Sequence, residues 1–175
     1  YFAMDRDNNY ERTKQAYDMI VNGLGRYEKD PQTAIENAYS SGAESDYYVQ
    51  PIIFSNEQGM AVASINNNDS IIFWNFRSDR VRQLTYAITQ KNFNKFPVKD
   101  LNIYFVCMSE YDKDLNLPYA FAQFSVKNNL GEVLSKNGLR QLRIAETEKY
   151  AHVTYFFNSQ VDKPYPNEDR ILVDS

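Results

Sequence analysis

The sequence predicts an α/β fold, a mixed sheet flanked by helices, and three observations carry that reading. Ile71, Ile72, Phe73, Trp74 and Phe76 form an apolar, β-branched and aromatic run with little polar interruption, the pattern of a strand covered on both faces. An amphipathic segment follows at once, with Ser78 as its cap and Val81, Leu84 and Ile88 at i, i+3 and i+7. A second strong strand, LNIYFVCM at 101–108, lies beyond it. Strands separated by helical segments call for layers of helix on sheet, and the short connections allow some antiparallel pairing.

Each element has a local cause. After YFAMDRD at 1–7, Asp7 or Asn8 can cap a helix, with Glu11 in capping-box spacing from Asn8. Tyr10, Thr13, Tyr17, Ile20 and Leu24 share one face of it, and Gly23 or Gly25 ends it. Arg6 therefore sits just before a helix start. A second helix is signalled by Asp30 as cap, Pro31 at the first position, Ala34, Ile35 and Ala38 inside, and Gly42 beyond. DYYVQPIIFS at 46–55 is strand-like, but Pro51 confines it to an edge or to two short pieces. Asn66, Asn67, Asn68 and Asp69 make a polar turn ahead of the central strand.

Residues 110–124, with Asp112, Asp114 and Pro118, read as a connector. Asn129 then caps a short helix holding Leu130, Val133 and Leu134, which Gly138 ends. Leu142 and Ile144 flank Arg143 in a short strand, residues 146–157 carry Tyr150, Val153, Thr154 and Phe157 at helical spacing, and 171–173 form a last strand.

Composition bounds the function. The chain has 175 residues, enough for one ordinary domain or one and a part, and its hydrophobic content of 43% can fill a core. A net charge of −4 argues against nonspecific nucleic-acid binding and against polybasic attachment to a membrane. No apolar run approaches the roughly 20 residues needed to span a bilayer. The single Cys107, inside an apolar strand, has no internal disulfide partner and fits a reducing cytoplasm. Position 1 is not Met, which suggests a fragment of something longer.

The chemistry on offer is cationic. Arg77 and Arg80 fall in a strand-to-helix turn, where backbone N–H groups and the helix dipole already favour an anion. A guanidinium adds a planar fork that holds carboxylate or phosphate oxygens bidentately. The plain alternative is a solvated first turn. Lys149, spaced for Glu146 at i, i+3, reads first as half of a surface pair. His152 is the only histidine and stands among aromatics, so no nucleophilic triad is assembled from it. One His and one Cys make no metal cluster, Glu110, Asp112 and Asp114 belong to a loop, and no glycine-rich phosphate loop is present. Cations for an anion are supplied without the reacting group.

YFAMDRD, NFRSDRVRQLT, LGEVLSKNGLRQLRIAETEKYAHVTYFFN and NEDRILV together strongly resemble the cofactor-independent (2,3-bisphosphoglycerate-independent) phosphoglycerate mutases. That resemblance implies a two-domain enzyme of the alkaline-phosphatase superfamily, monomeric and cytoplasmic. Its phosphatase domain holds two manganese ions and a nucleophilic serine, with a phosphotransferase domain inserted into it. It interconverts 3-phosphoglycerate and 2-phosphoglycerate through a phosphoserine. By motif, Arg6, Arg77 and Arg80 match the family's substrate-binding arginines and Lys149 its active-site lysine. Residues 1–124 would then be most of the phosphotransferase domain, and 125–175 a partial return into the phosphatase domain. The serine and the metal ligands are not in this stretch, so the isolated chain is expected to be inactive and to bind no manganese. A stand-alone sugar-phosphate or anion sensor using the same arginines is the alternative from another class. A single-stranded RNA binder using exposed aromatics is a third, against which the acidic balance counts.

Overall fold

Parallel pairing links all the named strands in the computed structural model, which describes residues 1–122 and 124–174. Gln123, inside the predicted connector, and Ser175 lie outside the described residues. The chain divides into two compact units, Tyr1–Ala122 and Gln123–Ser175.

In the first unit, helix α1 (Tyr10–Tyr17) runs into a π-helical turn, Asp18–Asn22, and stops at Gly23, whose φ of 61° is left-handed. Gly23 thus supplies the expected stop, since a left-handed residue costs glycine no clash. Its start differs from expectation. Neither Asp7 nor Asn8 caps it; Asn9 occupies the cap position without a side-chain bond, and the upstream Asp5 carboxylate accepts from the Asp7 and Asn9 N–H groups at 3.2 and 2.9 Å. Strand β1 (Arg26–Glu28), which no sequence pattern announced, precedes helix α2 (Pro31–Ser40). Helix α2 forms as expected, with the Asp30 carboxylate accepting from Thr33 N–H at 2.7 Å. Pro51 trims the next strand to β2 (Ile52–Phe54), which pairs with β1, while Asp46–Tyr48 form a 3-10 turn.

The central sheet has the order β3 (Ser70–Phe73), β4 (Tyr104–Ser109), β5 (Tyr119–Phe121). Here the sequence reading is corrected. Strand β3 is an edge, not a strand covered on both faces. Ile71 and Phe73 pack toward the core, whereas Ile72 is exposed, and beyond the strand Trp74 and Phe76 are 74% and 71% exposed. The expected mixed pairing is also absent from these strands; among the described residues the antiparallel pairing is the isolated bridge Ser55–Ala61. The predicted connector carries a 3-10 turn and β5, which adds to β4 in parallel.

Helix α3 (Arg82–Thr89) begins four residues after Ser78, which is buried and makes no side-chain cap. Its periodicity holds: Val81, Leu84, Ala87 and Ile88 are buried against Ala16, Tyr17 and Val21 of the first helical segment and Phe105 and Cys107 of β4. An eight-residue helix is marginal alone, so this contact holds it, each fully buried aliphatic side chain contributing about 1.5–3 kcal/mol. Burial pushes the Cys107 thiol up to about 11. Native protein at pH 8 should therefore resist thiol reagents and react fully once denatured; fast labelling of the folded chain would contradict that burial.

In the second unit, helix α4 (Leu130–Lys136) is capped as expected, the Asn129 Oδ1 accepting from Glu132 N–H at 3.0 Å. Glu132 Oε2 in turn accepts from the N–H of Asn128, the residue before the cap, at 2.6 Å. Strands β6 (Gln141–Glu146) and β7 (Glu168–Val173) pair along their whole length, and β7 is longer than the predicted 171–173. Between them lie the short helix α5 (Thr147–Ala151) and a π-helical turn, His152–Phe156, so the predicted helix starts only after Glu146.

The β6–β7 ribbon inverts the usual partition. Leu142, Ile144 and Ile171 are exposed, while Gln141, Arg143 and Glu168 are buried. Part of this polar set is paired, Arg143 Nη2 donating to Gln141 Oε1 at 2.5 Å and Gln141 Nε2 to the Gly131 carbonyl at 2.9 Å. Arg143 Nε and Asn158 Oδ1 have no hydrogen-bond partner among the described residues. Glu168 accepts from Asn158 Nδ2 and Arg170 Nε, both at 2.7 Å, and from Tyr165 N–H at 3.2 Å. Burial opposes ionisation of Glu168, but these hydrogen bonds outweigh it and hold its carboxyl below the ordinary value of 4.5. A depressed carboxylate stabilises the fold fully above its unfolded pKa and ceases to as pH falls through the folded one. Thermal stability of this unit should thus decline below about pH 4.5, and Glu168→Gln should flatten that acid limb. An acid limb unchanged by Glu168→Gln would remove this carboxylate as its source.

Among the described residues no helix is long and apolar enough to cross a membrane.

Candidate functional site

The carboxyl ends of parallel strands are where an α/β sheet presents its binding loops. At that edge of the central sheet, β3 gives way to residues 74–81, which carry Arg77, Asp79 and Arg80 ahead of α3. Two side chains, at the end of β4 and just beyond it, hold this segment. Tyr111, fully buried, donates its hydroxyl to the carbonyls of Phe73 (2.7 Å) and Asn75 (2.5 Å) and accepts from Met108 N–H at 3.2 Å. Ser109 Oγ donates to the Phe76 carbonyl at 2.8 Å. Arg82 Nε donates to the Tyr111 carbonyl at 2.8 Å, tying the start of α3 to the same place.

Onto this turn folds the N-terminal loop. Arg6 Nη1 lies 2.9 Å from Asp79 Oδ2, although the two residues are 73 positions apart. Arg77 Nε lies 3.0 Å from the other oxygen, Asp79 Oδ1. Arg80 Nη1 donates to the Met4 carbonyl at 3.3 Å, on the residue two before Arg6. Three of the residues singled out from the sequence are therefore brought to one place, two of them on a single carboxylate. Arg6 and Asp79 are largely buried, at 17% and 18% side-chain exposure, whereas Arg77 is half-exposed. The Arg6–Asp79 contact is accordingly the stronger of the pair, because solvent screens the other. Arg80 lies in the turn, two residues before α3 begins.

Lys149 is in the second unit, exposed on α5. Its expected pairing with Glu146 is absent among the described residues.

Sequence reasoning missed three members of this arrangement. Asp79 was legible only as an acid between two arginines, and nothing in NFRSDR marks it as their shared acceptor. Asp5 and Gln83 were missed because each is a polar residue with no periodic signal, though both are buried. Gln83 Nε2 donates to Asp5 Oδ2 at 2.9 Å, and Arg12 Nη1 stands 3.5 Å from Asp5 Oδ1.

Chemically, the cluster can hold an anion by guanidinium forks but contains no obvious nucleophile. Among the described residues no group of three or more His, Cys, Asp or Glu could hold a metal ion.

Comparison with known proteins gives this geometry a context. The family model described as the BPG-independent PGAM N-terminus matches residues 1–113. The chain is 52% identical over 177 residues to 2,3-bisphosphoglycerate-independent phosphoglycerate mutase 1 of Methanosarcina barkeri, covering all of this chain and 34% of that protein. It is 50% identical to 2,3-bisphosphoglycerate-independent phosphoglycerate mutase of Methanococcoides burtonii, with the same coverage. A crystal structure of Leishmania mexicana phosphoglycerate mutase at low cobalt concentration superposes with a TM-score of 0.81 at 28% identity, over all of this chain and 33% of that one. The chain thus spans about a third of the length of the relatives it matches.

Proposed function

This chain belongs to the BPG-independent phosphoglycerate mutase family, and from that premise we propose that it forms the substrate-gripping part of a glycolytic, cytoplasmic isomerase that interconverts 3- and 2-phosphoglycerate. The observation that carries the proposal is the junction of Arg6 and Arg77 on Asp79, with Arg80 anchored beside them. The substrate bears a carboxylate and a phosphate of about −1.5 to −2 charge at neutral pH. Guanidinium forks suit both groups. In this reading Arg6, Arg77 and Arg80 retain the glycerate while its phosphate leaves and returns, which demands contacts that do not depend on the phosphate. Lys149 is assigned to the phosphatase side of the same reaction, within a partial alkaline-phosphatase-like segment formed by 125–175. The serine nucleophile and two manganese ions are assigned to residues of the longer protein outside this stretch. Manganese would supply Lewis-acid activation there, and the residues of this chain would bind and orient.

Calorimetry on the chain tests the binding half. It should bind 3-phosphoglycerate more tightly than glycerate or inorganic phosphate alone. Arg77→Lys, which turns a fork into a point charge, should weaken 3-phosphoglycerate binding by about tenfold. Equal affinity in Arg77→Lys and the original would take Arg77 out of the site.

A further inference from the structure

The Arg6–Asp79 ion pair joins the loop to the turn directly, but Arg6, Arg77 and Arg80 repel one another, so holding their spacing calls for a second, uncharged tie. Gln83, the second residue of α3, is placed to do it. It is 8% exposed and uses both ends of its amide. Its Nε2 donates to Asp5 Oδ2 at 2.9 Å and to Thr13 Oγ1 at 2.8 Å, and its Oε1 accepts from Asn8 N–H at 2.9 Å. Asp5, itself 4% exposed, gathers the Asp7 and Asn9 N–H groups on the same oxygen, so residues 5–9 close around its carboxylate. Asn8 completes that loop in the left-handed region, at φ 62°. Arg6 lies inside the loop, and Gln83 joins the loop to the helix that directly follows the arginine turn.

Packing alone does not explain an amide here. The apolar stripe of α3 is made by Val81, Leu84 and Ile88, and a methionine would fill a similar volume at 83 without needing partners. A buried amide with its hydrogen bonds satisfied instead specifies one arrangement of the groups it joins.

We propose that Gln83 is a positioning residue for Arg6, acting through the Asp5 carboxylate to fix the spacing of the cationic cluster; the functional meaning of that spacing rests on the phosphoglycerate-binding reading above. The test uses the whole chain and two measurements. In nitrogen-resolved NMR, the Arg6 Nε–Hε signal should be distinct in the original and move toward the free-arginine position in Gln83→Met. By calorimetry, Gln83→Met should weaken 3-phosphoglycerate binding by about tenfold, yet cause no further loss in an Arg6→Ala background. A residue that merely supports the fold would weaken both backgrounds equally, and that result, or an unmoved Arg6 signal, would overturn the proposal. If Gln83→Met does not fold, Asp5→Asn gives the same two readouts. If the original chain binds no phosphoglycerate, the functional reading fails, and the Arg6 signal alone then decides the positioning role.

Discussion

Arg6→Ala is expected to weaken 3-phosphoglycerate binding by about a hundredfold, more than any other single change in the cluster. Two effects add. The first is loss of a largely buried guanidinium, whose charge-assisted hydrogen bond contributes about 1.5–3 kcal/mol. The second is what remains: among the described residues Asp79 then keeps its ion pair with the half-exposed Arg77, so a less compensated carboxylate faces an incoming anion. The two contributions can be separated by titration calorimetry at one ionic strength. Arg6→Ala combined with Asp79→Ala should recover part of the lost affinity, because the opposing charge is gone. Failure of the double variant to recover any would mean that Asp79 does not act as a counter-charge in the site.

The largest effect on folding is expected from Tyr111→Phe, at about 2–3 kcal/mol. The phenylalanine ring would keep the edge contact with Phe73, at 5.8 Å between centroids, so the change isolates one hydroxyl. That hydroxyl serves the Phe73 and Asn75 carbonyls and the Met108 N–H. A buried backbone group left without a partner costs about 1–3 kcal/mol, and partial relaxation of the exposed 74–76 segment toward water keeps the total below the sum. Burial also pushes the phenol up to about 12, so it remains a donor across any ordinary working range. Urea denaturation with an unchanged slope would measure the loss; a midpoint within error of the original would show that the hydroxyl does not hold the turn.

What the sequence made legible follows from how local each cause is. Asp30 and Asn129 cap their helices by accepting from an N–H three residues on, and the Val81, Leu84, Ile88 spacing depends only on the helical period. Such features survive reading residue by residue. Strand β3 did not, because an apolar run says nothing about how many layers cover it, and here the edge position decides. The polar interior of the second unit was illegible for the converse reason. Gln141, Arg143, Glu168 and Asn158 each look like surface residues until their mutual hydrogen bonds are known. In the candidate site the arginines could be named from their residue type and turn, whereas Asp79, Asp5 and Gln83 emerge only from contacts spanning more than seventy positions.

Trp74, the single tryptophan, stands exposed at the end of the central edge strand, three residues before Arg77. Its indole is therefore a built-in fluorophore for events at the arginine turn. Excited beyond the tyrosine absorption band, the chain should emit at the long wavelengths of a hydrated indole, and any ligand that orders the segment from Trp74 to Arg77 should change that emission without a label being attached.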